Sequence, residues 1–494
     1  MSELKRSLRS RHLTMIALGG SIGTGLFLAS GGAISEAGPG GALIAYGMIS
    51  IMVYFLMCSL GEMSAYRPTT GSFCEYSGDY IDPAFGFAMG WNYWFNWAIT
   101  IAVEVLAAAM IMQFWFPGSS TFMWSSFFFL LILGLNLMSV KMYGESEYWL
   151  SFFKVSFVII FIVVGALTIF GLIGDHGPVG FENWKIEGAP FNHGFIGFLA
   201  VFMIAGFSFQ GTEIVGVAAG EADDPSRAIP RAIKSTFWRI VLFYIVAIAI
   251  ISFLIPYNDP NLANANSDVT LSPFTIVFKN AGFTFAASVM NAVILIAVLS
   301  ACNASMYTST RTLWFMSKNG QAPRVFSRTS KGGTPYLALI ATCIIGSAFM
   351  LTSKYQNGAI FILLVNVSSL AGFIAWFGIA WSHYRFRRAL KAQGKSMGKL
   401  PFKAKFFPIG PLVSIAFIGL IIAGQEFGDV MAGELTIQKF LITYAGLIIF
   451  LIIAISYKII NKTKFISLKD CKFPEHEHPE MEGHDVDNDT NHSK

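Results

Sequence analysis

The chain has 494 residues, 54% of them hydrophobic, 15% aromatic and only 13% charged, with a mean hydropathy of +0.58. Soluble globular domains do not carry that much apolar residue, so the composition indicates an all-α integral membrane protein. The net charge of +5 does not point to nucleic acid, because the basic residues sort by loop and show no aromatic-interleaved recognition pattern.

Segments near or above the roughly 20 residues that cross a bilayer fall at 12–35, 40–65, 84–114, 121–140, 147–173, 194–220, 236–256, 283–315, 336–353, 359–382, 408–424 and 438–460. Twelve transmembrane helices are therefore expected. With both ends inside, the inner segments and the span ends adjoining them hold 29 of the 34 lysines and arginines, the outer side holds 4 (Lys185, Lys279, Lys354 and Lys439), and Lys154 lies deeper in a span. That asymmetry predicts cytoplasmic termini. It gives a basic N-terminus at 1–11, a transporter domain at 12–460 and a cytoplasmic tail at 461–494.

The basic lead, Lys5, Arg6, Arg9 and Arg11, sets topology at the anionic inner leaflet. The first span then meets Gly19-Gly20-Ser21-Ile22-Gly23-Thr24-Gly25, four glycines in seven residues. Each glycine costs about 1 kcal/mol against alanine inside a helix. In a membrane such a run persists where the freed backbone lines a cavity and meets a ligand. The helix is expected to break here and restart at Leu26.

The second span ends in Gly61-Glu62-Met63-Ser64-Ala65-Tyr66-Arg67-Pro68. In the third, Tyr93, Trp97, Thr100 and Glu104 are spaced to share one helix face. A carboxylate in a span faces a cavity or a partner, so Glu104 is either a site residue or half of a buried ion pair. Lys154 stands about two turns into the fifth span. It either snorkels to the headgroups or sits in low dielectric, where a lysine releases its proton readily. The outer loop at 174–193, acidic, aromatic and rich in Gly and Pro, reads as an ordered cap.

The sixth span carries Gly206-Phe207-Ser208-Phe209-Gln210-Gly211-Thr212-Glu213, a second polar, glycine-punctuated interruption. Two interruptions five spans apart point to an inverted five-helix repeat whose discontinuous helices one and six meet at the midplane. The repeats are read at about 12–173 and 194–382, with the last two helices at 408–460. Packing glycines of the small-xxx-small kind are the alternative, and the interleaved polar residues argue against it. Glu213 either caps the restarting half-helix or pairs with a cationic substrate. Glu221 reads as gate or structure. In the eighth span Ser300, Asn303, Tyr307 and Thr310 share a polar face. Asn303 is there a candidate site residue, with helix–helix hydrogen bonding as its alternative.

These blocks resemble a family. Gly38-Pro39-Gly40-Gly41 through Leu60-Gly61-Glu62 to Pro68, Gly206 to Glu213, Ala218-Ala219-Gly220-Glu221 with Asp224-Pro225, and Ser309-Thr310-Arg311 are similar to the amino acid transporter family of the amino acid-polyamine-organocation superfamily. The block ending in Glu213 looks most like that of the bacterial lysine-specific permeases. The resemblance implies a secondary carrier of the bacterial cytoplasmic (inner) membrane. It also implies that Lys154 stands where other members bind sodium, so that coupling is to protons.

A free amino acid brings two opposite charges to mid-membrane, and half-helix ends can meet both. Ser21, Gly23, Thr24 and Gly25 are expected to hold the carboxylate, and backbone at Phe207 and Ser208 the α-amine. Tyr93, Glu104, Glu213 and Asn303 complete the expected site. L-lysine and protons are the expected partners, with membrane lipid and no cofactor or metal. Arginine, ornithine, aromatic or neutral amino acids, or an exchange mode, remain alternatives. Catalysis is not expected, since His12 and His383 lie near membrane edges and no H-E-x-x-H motif occurs.

Overall fold

The structure, a computed structural model, describes residues 10–138, 140–174, 177–222, 224–263, 272–280, 284–330, 332–353 and 357–473. Lys5, Arg6, Arg9, Asp223, Lys354 and the tail from 474 to 494 lie outside the described residues, as does the side chain of Ser21.

Among the described residues the regular elements are helices. α1 (Ser10–Ser21) is followed by a π-helical turn at Gly25–Ala29 and then by α2 (Ser30–Tyr66). α2 is kinked at Gly38, whose φ of +74° suits glycine, with Pro39 next to it. After α3 (Ser72–Tyr80) come α4 (Pro83–Met112), α5 (Thr121–Leu137) and α6 (Val140–Ile169). α7 (Gly194–Phe209) and α8 (Ile214–Ala218) are two pieces of one interrupted segment, and α9 (Pro225–Leu254) and α10 (Pro260–Ala263) follow. α11 (Pro273–Asn280), α12 (Thr284–Lys318), α13 (Tyr336–Gly346), α14 (Asn357–Ala392), α15 (Ile409–Ala423), α16 (Phe427–Ala432) and α17 (Ile437–Asn461) complete the order.

Local sequence sets these boundaries. Asp82 caps α4 by accepting from the Ala84 amide, with Pro83 at the first helical position. Asp224 and Pro225 start α9 in the same way. Among the described residues seven helical stretches are long and apolar enough to cross a membrane. α6 and α17 turn large apolar side chains outward, including Phe152, Ile160, Ile452 and Ile459, as a lipid-facing surface requires. α4 is the opposite case: 94% of its most apolar window is buried. It packs against α12 and α14, while α2 packs against α7 and α9. The chain is a multi-pass helical membrane protein.

The loop before α7 is ordered against the α2 kink. Pro190 O accepts from the Gly40 amide at 2.9 Å, and the Asn192 amide donates to Ala37 O at 3.0 Å. Asn192 Nδ2 also donates to Ser35 O at 3.0 Å. The expected cap is thus docked on the start of the second apolar segment.

The other end of the bundle is held by buried charge. Glu62 is fully buried and accepts two bonds from Arg387, at 2.6 and 2.5 Å, and one from the Ala404 amide at 2.6 Å. Arg67 pairs with Glu75 and Asp79. Burial works against the Arg67 charge, and the two carboxylates outweigh it and raise its pKa. Glu221, also fully buried, accepts from Tyr307 at 2.9 Å and Arg311 at 3.1 Å. Its contacts make it a structural tie between the second interruption and α12.

Candidate functional site

The two interrupted segments meet. Between α1 and the π-helical turn the chain passes through Ile22, Gly23 and Thr24. Between α7 and α8, Gln210 is extended and Gly211 takes a φ of +100°, a conformation that needs glycine. Gly25 lies so close to the α7 end that a Cβ there would stand 2.4 Å from Ser208 Cα. A Cβ on Gly23 would meet Ala301 Cβ of α12 at 2.9 Å and the Glu104 carboxylate at 3.4 Å. The glycines therefore serve close approach as well as the break.

A narrow cavity opens at this junction. Its wall includes Gly23, Thr24 and Gly25, then Thr100 and Glu104 of α4, and Phe207, Ser208 and Gln210. Thr24 Oγ1 donates to Glu104 Oε2, so the buried carboxylate is tied to the first break. The expected one-face pattern on α4 holds for Trp97, Thr100 and Glu104, which all line the cavity.

Tyr93 and Glu213 are together but set away from the lining. Glu213 Oε2 accepts from the Gly211 amide at 3.1 Å and from Trp376 Nε1 at 3.2 Å, and Oε1 accepts from Tyr93 OH at 3.3 Å. Three donors from three elements fold this carboxylate into the second break, where it stabilises the irregular backbone at Gly211. Asn303 is likewise off the cavity: Asn136 donates to its Oδ1 at 2.8 Å, and its Nδ2 donates to Glu147 at 3.2 Å.

Lys154 is fully buried, within electrostatic reach of Glu147 and Glu104. It does not snorkel to a membrane surface. Glu147, one end of the same α6 face, is also fully buried. Sequence reasoning missed it, although a seven-residue step from Glu147 to Lys154 places both on one side of a helix.

Three further residues were missed. Gln210 bridges the second break to α14, with Nε2 donating to Ser368 O at 3.3 Å and Ser369 O at 3.2 Å. Tyr244 OH donates to Ser208 O at 2.5 Å, taking up a carbonyl at the end of α7. Tyr46 shares a 3.0 Å bond with Ser208 Oγ, and the Phe209 and Tyr244 rings stack at 4.3 Å. No periodicity in the sequence pairs these aromatic residues with the break; only the packing of α2 and α9 on α7 does.

The arrangement is a buried site built from backbone at two helix interruptions, one carboxylate in the wall and a buried lysine behind it. Half-helix ends carry the partial charges that complement a small zwitterion. The model of a family described as amino acid permease matches residues 12–469. A lysine-specific permease of Escherichia coli K12 is 51% identical over 475 residues, 96% of this chain and 97% of the relative. A histidine permease of Lactococcus lactis is 50% identical, over 95% and 98% of the two chains. A lysine-specific permease of Saccharomyces cerevisiae is 39% identical, over 94% of this chain and 77% of its own length. The chain belongs to the amino acid permease family.

Proposed function

We propose that the protein imports L-lysine together with protons across the bacterial cytoplasmic (inner) membrane by alternating access. The observation that carries this reading is the junction itself: two interrupted helices meet around a cavity whose wall holds Glu104, with Lys154 buried within electrostatic reach. The relatives named lysine-specific permease support the choice of substrate.

In this reading the helical segments group into twelve spans with both termini in the cytoplasm, and spans one to five and six to ten form the inverted repeat. The ends around Gly23, Thr24 and Gly25 take the substrate carboxylate, and backbone at Phe207 and Ser208 takes the α-amine. Glu104 attracts the side-chain ammonium. Glu213, already holding three donors, supports the second break and does not select the substrate. Lys154 carries the coupled proton: charged, it braces the first break through Glu104 and Thr24, and proton loss frees that contact. A sodium ion would be repelled by a fixed cation at this place.

The histidine permease at 50% identity favours histidine as the second reading. Uptake of labelled lysine into proteoliposomes, with unlabelled arginine, ornithine, histidine and neutral amino acids as competitors, tests the assignment. Lysine should compete at least 10-fold better than any other. Preferential competition by histidine would transfer the assignment to it.

A further inference from the structure

Glu147 is a fully buried carboxylate with no part in the mechanism above. Its Oε1 accepts from Ser151 at 3.3 Å and Ser300 at 2.5 Å, and its Oε2 accepts from Asn303 Nδ2 at 3.2 Å. Ser151 belongs to α6, but Ser300 and Asn303 belong to α12, and Asn303 is itself held by Asn136 of α5. The carboxylate is thus a pin joining three helices.

A buried carboxylate is costly unless hydrogen-bonded and paired with opposite charge. The hydroxyls and amide supply the bonds, and Lys154 supplies the charge. Other charged and titratable groups surround the pair. Tyr143 lies on α6, with Tyr307 and Arg311 on α12 and Glu221 beyond them; Glu104 comes from α4. From α9 Tyr244 faces Glu104, α5 contributes the neutral Asn136, and on α1 Arg11 and His12 are engaged by Glu145. Of these, Arg311 is held by Glu221 at 3.1 Å.

We propose that Glu147 is a positioning residue that fixes the charge of Lys154 and makes its proton depend on the packing of α6 against α12. This rests on the reading of Lys154 as the carrier of the coupled proton. While Ser300 and Asn303 hold the Glu147 carboxylate against α12, the Lys154 ammonium keeps its counter-ion. Movement of α12 away from α6 withdraws two of the three donors and with them the fixed position of the anion. The proton on Lys154 Nζ then leaves as hydronium, and the lysine is left neutral.

The test compares Glu147→Gln with the parent in proteoliposomes. Lysine counterflow without a gradient, pH-gradient-driven accumulation and the pH profile of uptake are the three readouts. The inference predicts counterflow within 3-fold of the parent, accumulation reduced at least 10-fold, and a pH profile displaced by one unit or more. Glu147→Asp should restore at least part of the accumulation. Should Glu147→Gln not fold, Ser300→Ala, which removes one donor and keeps the charge, should lower accumulation about 3-fold while counterflow stays at the parent's level. Unchanged accumulation and pH profile, or equal loss of counterflow and accumulation in folded protein, overturns the role of Glu147. Absence of gradient-driven accumulation in the parent itself would instead overturn proton coupling, so the two failures are distinct.

Discussion

Glu104 and Glu213 look alike in sequence, each an acid deep in an apolar segment, and their surroundings separate them. Glu104 accepts from Thr24 and faces the cavity, whereas Glu213 is held by Gly211, Tyr93 and Trp376. Glu104→Gln should raise the KM for lysine at least 10-fold. Glu213→Gln should leave the KM within 3-fold and lower thermal stability, since leaving a buried donor mismatched costs about 1–3 kcal/mol. Measured KM values and melting curves of the two variants check both. At the membrane edge, burial disfavours the Asp82 charge, but Lys458, the Ala84 amide and Thr463 outweigh it and hold the carboxyl below its ordinary 3.8. A depressed folded pKa stabilises above the unfolded value, and that contribution is lost as pH falls through the folded one. The contact of the 462–466 segment with α4 should therefore be kept above about pH 4 and loosen below it. Asp82→Asn should remove that pH dependence, as hydrogen exchange at Thr463 to Ile466 would show. The α4 face was legible from spacing alone, because helix period fixes which residues share a side. The partners of Glu213 and Asn303 were not, because they depend on the rotation of α12 and α14.

The helix interruptions are where the elements carry function. Both were legible as glycine clusters with polar residues between them, and the structure adds that they touch. Gly25→Ala would put a methyl 2.4 Å from Ser208 Cα, backbone that cannot step aside as a side chain can. Overpacking of this kind costs about 1–3 kcal/mol, so transport should fall by roughly 10- to 100-fold in protein that still folds. Alanine at Gly47, where a Cβ meets nothing within 4 Å, should transport as the parent does. Initial-rate uptake of the two variants decides this. The partners that close the break, Tyr46, Tyr244 and Gln210, stayed hidden because their contacts span up to 162 residues of sequence. The signature acid Glu62 was visible as a motif, and its bidentate bond to Arg387 and its bond to the Ala404 amide could be found only in the folded chain.

For the whole molecule, the membrane class and the sorting of basic residues come from composition, and the family follows from similarity over nearly the full chain. What the fold contributes is the relation between parts: the capping loop docks on the α2 kink, the two interruptions meet, and Lys154 is buried within reach of the acid in the cavity wall. A carrier needs such a relation, since substrate and proton must be felt by the same moving elements. The central claim is that Lys154 couples lysine movement to protons. Its most direct test is lysine accumulation by Lys154→Ala in proteoliposomes under an imposed pH gradient, with counterflow as the control. The account predicts that counterflow persists while gradient-driven accumulation falls to the equilibrium ratio. Accumulation equal to that of the parent would contradict it.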